Sequence, residues 1–217
     1  DWINYKDFDK VIIYNKGNNL AKENVINLPN VGRESHTWLH HIVENYNNLH
    51  QYNIFLQGKI DDLGCMVFSN PKNYIFDVEK NGFSVKRLGL LGPLHWKHNI
   101  GIERDPRYKI LWEKGEISKS KIGFRKFAKK YFPEIPIFVA TSYGGCFGVS
   151  KELILLRDLK FYRNLLENLS KHKNPIEGHY MERLWCYLFT KNDFLLRACK
   201  DVLKTKLERI LELNFKN

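Results

Sequence analysis

The chain is poor in the residues that mark secreted, fibrous or membrane-spanning proteins. Its 217 residues include four cysteines, seven prolines and two methionines. No apolar run approaches the roughly 18 residues of a membrane span, and the first residues lack a signal-peptide pattern. The cysteines form no Cys-x-x-Cys pair, which favours buried free thiols over a disulfide framework. These absences favour a cytoplasmic protein without a transmembrane segment.

What is present is an ordinary globular composition with an excess of positive charge. Hydrophobic residues make up 43% of the chain, enough for a buried core. Lysine and arginine number 35 against 24 acidic residues, a net charge of +11. Such a surplus favours nucleic acid, anionic lipid or phosphorylated small molecules as partners. No repeat, low-complexity tract or linker interrupts the chain, so we predict one domain over residues 1–217.

The segment from Leu28 to His41 runs from an apolar strand through a turn into a helix. Gly32 lets the backbone bend sharply and approach a ligand. Arg33 carries a planar, permanent charge suited to phosphate oxygens. The free N–H groups and the dipole of the helix start also attract anions. The segment therefore predicts a seat for a diphosphate, although an ordinary strand-to-helix turn explains the pattern equally well.

Hydrophobic periodicity predicts a strand–helix–strand unit around this segment. Strands are expected at Lys10–Gly17, Val25–Leu28 and Tyr52–Gly58, with a helix over Thr37–Leu49. Such a crossover unit favours a parallel sheet, in which ligands collect beyond the carboxyl ends of the strands. We therefore expect three polar strand ends on one rim. They are Tyr14, Asn15 and Lys16; Asn30, Gly32 and Arg33; and Gln57 and Gly58.

Two later segments contain further candidates for a site. Gly144 and Gly145 interrupt a strand pattern, which indicates either a bulge or a place where a ligand lies against bare backbone. Ser150 follows as the N-cap of a helix. In the last apolar helix, Glu182 is expected in the first turn with His179 just before it. Glu182 is either a structural carboxylate favoured by the helix dipole or a general base at a pocket wall.

The middle of the chain is less regular. Tyr74–Glu79 has the composition of a strand. Residues 119–130 place Phe124 and Phe127 among six cations, which predicts an amphipathic helix with a solvated basic face. The alternative is docking onto a membrane surface or an acidic substrate.

Five motifs, taken in order, resemble the glycosyltransferase A fold. The motifs are Tyr14–Gly17, Asn30–Glu34 with His36 and Thr37, Phe55–Gly58, Gly144–Ser150 and Glu182–Trp185. They look most like a family of bacterial, fungal and viral sequences similar to rhamnan-synthesis-type glycosyltransferases. The resemblance implies an α/β, single-domain fold with a mostly parallel central sheet flanked by helices. It also implies transfer of a sugar from a nucleoside-diphosphate donor, such as a uridine diphosphate sugar, to a glycan or other hydroxyl acceptor in polysaccharide or glycoconjugate synthesis.

On this resemblance the site residues divide into two groups. Glu182 is the candidate base that removes the acceptor proton, with His179 beside it as a second catalytic candidate. The others are candidates for donor binding. They are Tyr14, Asn15, Lys16, Asn30, Gly32, Arg33, His36, Gln57, Gly58, Lys59, Gly144 and Gly145.

The chain departs from the fold's usual pattern at two places. Enzymes of this fold usually carry an Asp-x-Asp pair after the central strand for a divalent cation, Mn²⁺ or Mg²⁺. Here Lys59 follows the motif, and Asp61 and Asp62 come slightly later, so either these two hold the metal or Lys59 neutralises the leaving group without one. Asp77 and Glu79 are a second metal candidate. Relatives usually have one more strand before the position of Trp2, so either the chain is cropped or its sheet lacks that strand.

Two other interpretations compete. His36 and His40 have the i, i+4 spacing of a zinc pair, but spacing identifies no third ligand, and we favour His36 as a residue that contacts substrate. A nucleic-acid-binding module without enzymatic activity would explain the positive charge. The chain shows no recognisable motif of that class, and its cations are spread along its length.

Overall fold

The computed structural model describes residues 4–59, 67–97, 106–118, 120 and 122–190, which form a mixed α/β structure. The helices are α1 (Arg33–Asn45), α2 (Lys72–Asn81), α3 (Pro93–Lys97), α4 (Pro106–Glu113), α5 (Phe124–Tyr131), α6 (Lys151–Ile154), α7 (Leu159–Leu169) and α8 (Ile176–Phe189). The strands are β1 (Ile13–Asn15), β2 (Val25–Asn27), β3 (Tyr52–Phe55), β4 (Phe83–Ser84), β5 (Leu88–Leu91), β6 (Val139–Ser142) and β7 (Phe147–Ser150).

The described strands form three small sheets. β1 and β2 pair in parallel, β3 and β4 flank β7 in antiparallel pairs, and β5 pairs antiparallel with β6. The prediction of a mostly parallel central sheet is therefore wrong for these strands, while the α/β class is confirmed. The sequence pattern identifies β3 itself. Its partner β7 lies far along the chain, and no local pattern encodes such a pairing.

The predicted strand–helix–strand unit is only partly present. In the described part of the chain, β3 pairs with neither β1 nor β2. A cleft of about 460 Å³ is lined by residues of β1, β3 and α1. The hydroxyl of Tyr14 lies 2.9 Å from Nδ1 of His41, and the ring of Phe55 lies 5.5 Å from the same imidazole. Both strands thus contact α1 through His41.

The core lies where α8 packs against β6, β7, α1 and α5. The predicted apolar stripe of α8 is buried, which confirms that helix. Trp185 and Phe189 stack on each other and both contact Phe147 of β7. The helix begins at Ile176 with Pro175 as its N-cap, so Glu182 lies in its second turn rather than the first. From this position the side chain of Glu182 reaches the turn that follows β6.

The segment Tyr74–Glu79 belongs to helix α2, so the strand predicted there is wrong. Its aromatic and β-branched residues suggest a strand, but its buried residues recur at the spacing of a helix. Tyr74 and Val78 are fully buried, whereas Phe76 is 78% exposed. Gly82 ends the helix in a left-handed conformation.

The predicted basic helix is present as α5, although it begins at Phe124 rather than at the start of the 119–130 segment; Lys119 and Lys121 lie outside the described residues. Its apolar residues Phe124, Phe127 and Ala128 are buried, and both phenylalanines contact Tyr180 of α8. Because this apolar face is already inside the core, it cannot insert into a lipid surface, and only the cations of α5 could contact one. Among the described helices, none has the length and apolarity to span a bilayer.

Candidate active site

The turn before α1 is tightly built. Gly32 and Arg33 both have positive φ angles, 64° and 54°. The N–H of Gly32 donates to the carbonyl of His172 at 2.8 Å, and a Cβ on Gly32 would lie 2.5 Å from the carbonyl oxygen of Leu169. Only glycine fits this approach of the α7 end to the turn.

Lys16 fastens this turn to the end of β1. Its Nζ donates to the carbonyl oxygens of Val31 and Arg33, at 2.6 and 2.5 Å. Burial lowers the pKa of Lys16 to about 8, although the carboxylate of Glu34 opposes this. The predicted convergence of the β1 end and the Gly32 turn is therefore present, with Lys16 as the link.

Arg33 is more exposed than the acidic residues beside it, Glu34 and Glu182. Its side chain is 29% exposed, and its Nε lies 3.3 Å from Oε2 of Glu34. Its Nη1 lies 2.8 Å from the ring nitrogens of His179. The strain of a positive φ in a non-glycine residue costs on the order of 1–2 kcal/mol, and such strain concentrates at functional sites.

His179 supports Arg33 from inside the protein. It is 1% exposed, and its Nε2 lies 3.2 Å from Oδ1 of Asn174. Burial, followed by the charges of Arg33 and Arg183, lowers the pKa of His179 to about 2. A neutral imidazole that donates from Nε2 to Asn174 can accept the guanidinium N–H at Nδ1. The position suits a residue that orients Arg33, and a catalytic role for His179 stays a prediction.

The glycine turn between β6 and β7 meets the same cluster. Gly144 and Gly145 have φ angles of 92° and 62°. Nε2 of Gln57 donates to the carbonyl of Gly144 at 2.7 Å, and the indole N–H of Trp38 donates to that of Gly145 at 2.9 Å. The β3 end, α1 and the glycine turn are thus joined by side-chain hydrogen bonds.

Glu182 closes the cluster from α8. Its Oε1 accepts the N–H of Gly144 at 2.9 Å, and its Oε2 lies 3.0 Å from Nη1 of Arg183. The same Nη1 donates to the carbonyl of His179, which holds Arg183 along the helix. These bonds fix the orientation of the carboxylate, and each carboxylate oxygen still has a second lone pair.

Glu34 is the site residue that the sequence analysis did not single out. A Cβ on Gly145 would lie 3.0 Å from Cγ of Glu34 and 2.9 Å from Nε2 of Gln57. The side chain of Glu34 is 12% exposed. Burial raises the pKa of Glu34 and the carboxylate of Glu182 adds to this, while Arg33 opposes it. The sequence feature that could have identified Glu34 is its position in the first turn of the helix, directly after Arg33.

The structure therefore brings together Lys16, Gly32, Arg33, Gln57, Gly144, Gly145, His179 and Glu182. The other six predicted donor residues lie outside this set of contacts. Tyr14 bonds to His41, Asn15 donates to Asn18 and Asn27 within the β1–β2 region, and Asn30 is exposed. His36 is 6% exposed and stacks against His40, with no partner for its Nδ1 among the described residues. Gly58 and Lys59 follow Gln57 at the surface.

The predicted metal ligands Asp61 and Asp62 lie outside the described residues. Asp77 and Glu79 sit two positions apart on α2, where side chains point to different faces. Asp77 accepts a hydrogen bond from Ser84 at 3.2 Å, and Glu79 lines the cleft beside β3. Within the described ranges no three histidine, cysteine or acidic side chains cluster closely enough to hold a metal. The His36–His40 pair therefore has no third ligand among the described residues.

Comparison with known proteins gives one family. The family model described as "Protein of unknown function (DUF3431)" matches residues 1–204. Neither the curated proteins nor the solved structures contain a match to the chain.

Proposed function

The chain belongs to the DUF3431 family, and we propose that it is a nucleotide-sugar-dependent glycosyltransferase with a variant of the A-type fold. It moves a sugar from a nucleoside-diphosphate donor to a hydroxyl of a glycan acceptor. The observation that carries the proposal is the meeting of three strand ends and one helix face at Arg33, Gln57, the glycine turn and Glu182.

The diphosphate of the donor binds at Arg33. The guanidinium is partly exposed and is held in position by the neutral His179 and by Glu34. The α1 N-terminus adds its dipole at the same point, and Lys16 contributes a second positive charge close to the turn. Together these groups stabilise the negative charge that grows on the leaving diphosphate as its bond to the sugar breaks.

Glu182 acts as the base in this proposal. It takes the proton of the acceptor hydroxyl while the acceptor oxygen forms a bond to the anomeric carbon and the diphosphate departs. The Gly144 N–H and Arg183 hold the carboxylate in one orientation. The adjacent glycine turn leaves bare backbone against which the sugar can lie. Any divalent cation would rest on Asp61 and Asp62, and Arg33 and Lys16 are the side-chain cations proposed to bind the diphosphate.

The proposed location is the cytoplasm, where the buried free thiols of Cys146 and Cys186 remain reduced. Contact with a membrane surface would be peripheral and electrostatic, through the cations of the 119–130 segment.

Release of nucleoside diphosphate from a panel of uridine-, guanosine- and thymidine-diphosphate sugars, with Mn²⁺ present, tests the proposal. Turnover of at least one donor, together with thermal stabilisation by the matching nucleoside diphosphate, is expected. Absence of both, with stabilisation by short oligonucleotides that weakens steeply with salt, would favour nucleic-acid binding instead.

The base assignment has its own test, because two carboxylates border the glycine turn. Glu182→Gln should lower turnover by roughly 10²–10⁴-fold, the scale for loss of a general base, with nucleoside-diphosphate affinity nearly unchanged. Glu44→Gln, an exposed change on α1, is the control. If Glu34→Gln causes that loss and Glu182→Gln does not, the base is Glu34.

A further inference from the structure

A groove on the opposite face of α7 from α1 has features of a ligand site. It has a volume of about 510 Å³ and lies between α5 and α7. Its α7 wall includes Phe161, Asn164 and Asn168, which recur on one side of the helix, and Lys171 follows just after the helix end. Tyr162, Leu165 and Leu169 face the core. The groove therefore follows α7 for most of its length, a shape suited to an extended ligand.

The aromatic side chains of the groove form a platform. The rings of Tyr131 and Phe161 meet edge to face with centroids 6.2 Å apart, and Nζ of Lys130 lies 5.0 Å from the Tyr131 ring centroid. The hydroxyl of Tyr131 is buried and has no hydrogen-bond partner among the described residues. A buried hydroxyl without a partner carries a desolvation cost that a bound hydroxyl or carboxylate would remove.

The polar groups of the groove combine cations with a single acid. Lys130 and Lys171 stand at its walls with Asn164 and Glu167. The cations favour an anionic ligand, while the amides and the carboxylate can bond sugar hydroxyls. A DNA backbone has no hydroxyl donors to match Glu167, so the lining favours an acidic sugar chain over DNA.

One end of the groove adjoins the candidate active site. Lys171 precedes His172, whose carbonyl accepts the N–H of Gly32, and Leu169 packs on the same glycine. A chain lying along α7 thus ends beside the turn that carries Arg33. We propose that this groove binds the acceptor, a glycan that carries carboxylate or sulfate groups, a role that rests on the proposed transferase function.

Calorimetric titration with defined oligosaccharides tests the groove. The probes are a tetragalacturonate, a heparin tetrasaccharide, maltotetraose as a neutral control and a short oligothymidylate. The wild-type chain should bind at least one acidic tetrasaccharide more tightly than the neutral one. The double variant Lys130→Glu/Lys171→Glu should lose about 10-fold or more in that affinity, whereas the matched surface change Lys80→Glu/Lys86→Glu should not.

Tyr131→Phe separates a binding role from a structural one. Removing a hydroxyl that has no partner should leave Tm unchanged or raise it, while acidic-glycan affinity falls by roughly 3- to 10-fold, the scale of one hydrogen bond. Lack of binding to either acidic tetrasaccharide, equal binding by the groove variants, or preference for the oligothymidylate would overturn the proposal. Nucleoside-diphosphate affinity measured on the same variants should stay unchanged. If the chain binds nucleoside diphosphate but no acidic glycan, only the groove assignment is wrong. If it binds an acidic glycan but no nucleoside diphosphate, the transferase function is wrong.

Discussion

Arg33 combines two properties that rarely occur in one residue: a long charged side chain and a left-handed backbone. The φ of 54° is held by Lys16, which bonds the carbonyl of Arg33, and by the packing of the preceding Gly32 against α7. Backbone strain that several neighbours maintain is common at functional sites, which agrees with the ligand role proposed for the Arg33 side chain. The sequence marked Arg33 as a phosphate ligand, but its strain and its contact with His179 depend on segments far along the chain.

Replacing Arg33 with glycine should therefore separate stability from binding. Arg33→Gly relieves the strain but loses the contacts of Arg33 with Glu34 and His179, so the free energy of unfolding should change by no more than about 1 kcal/mol in either direction. Nucleoside-diphosphate binding should weaken by roughly 1.5–3 kcal/mol, the scale of a charged hydrogen bond. Denaturant unfolding and calorimetry measure the two quantities. Arg163→Gly, at an exposed position of α7, is the control for binding, and equal diphosphate affinity in Arg33→Gly would place the diphosphate elsewhere.

Among single elements, the sequence predicted best those helices that bury one apolar face. The stripe of α8 and the buried face of α5 were both predicted because their apolar residues recur at helical spacing. The error at α2 arose because aromatic and β-branched residues mimic a strand over six positions, and only long-range packing decides which of them is buried. The pairing of the strands was not predicted for the same reason, because β3 pairs with β7 rather than with β1.

The glycine turn between β6 and β7 gives a prediction at this scale. Gly145→Ala adds a Cβ at a φ of 62° and within 3.0 Å of Gln57 and Glu34. Strain and displacement together should lower the free energy of unfolding by about 2–4 kcal/mol. Gly115→Ala is the matched control, because Gly115 has a φ of 71° and open space around its Cβ position. It should cost only about 1 kcal/mol.

Urea unfolding of the two alanine variants measures the difference, and turnover of Gly145→Ala should fall with its stability because Glu34 and Gln57 must move. Equal destabilisation by the two substitutions would mean that the contacts of Gly145 with the cluster add nothing to the turn.

For the whole molecule, histidines that are wholly or partly buried contribute to the response to acid. Burial lowers the pKa of His36 and His41 to about 4 and that of His179 to about 2, from an ordinary value of 6.5. Below pH 6.5 the unfolded chain binds protons that the folded chain refuses, so the free energy of unfolding must fall as the pH drops from 6.5 towards 4. The raised pKa of Glu34 acts in the opposite direction.

Between pH 6.5 and 5 the loss should be about 1–2 kcal/mol per histidine. Denaturant midpoints across this range measure it. His41→Gln should flatten the acid limb, while the exposed His50→Gln should leave it unchanged. A stability that stays constant from pH 6.5 to 5 would contradict the neutral, buried state of these side chains.

The candidate site was more predictable than the sheet that supports it. Gly32, Arg33, Gln57 and the glycine pair stood out because each interrupts or ends a regular pattern with a polar or flexible residue. Glu182 stood out as a carboxylate near the start of an apolar helix. The sequence did not identify Glu34 as a site residue or His179 as a support for Arg33. Both roles depend on contacts between α1, α8 and the glycine turn. The groove beside α7 was hidden for the same reason, since its walls belong to two helices.

A crystal structure of the chain with a nucleoside diphosphate and Mn²⁺ tests the central claim most directly. We predict diphosphate oxygens within hydrogen-bonding distance of the Arg33 guanidinium, with the open end of the ligand directed towards Gly144, Gly145 and Glu182. A nucleotide bound away from Arg33 and the glycine turn, or a protein that takes up none at saturating concentration, would contradict it.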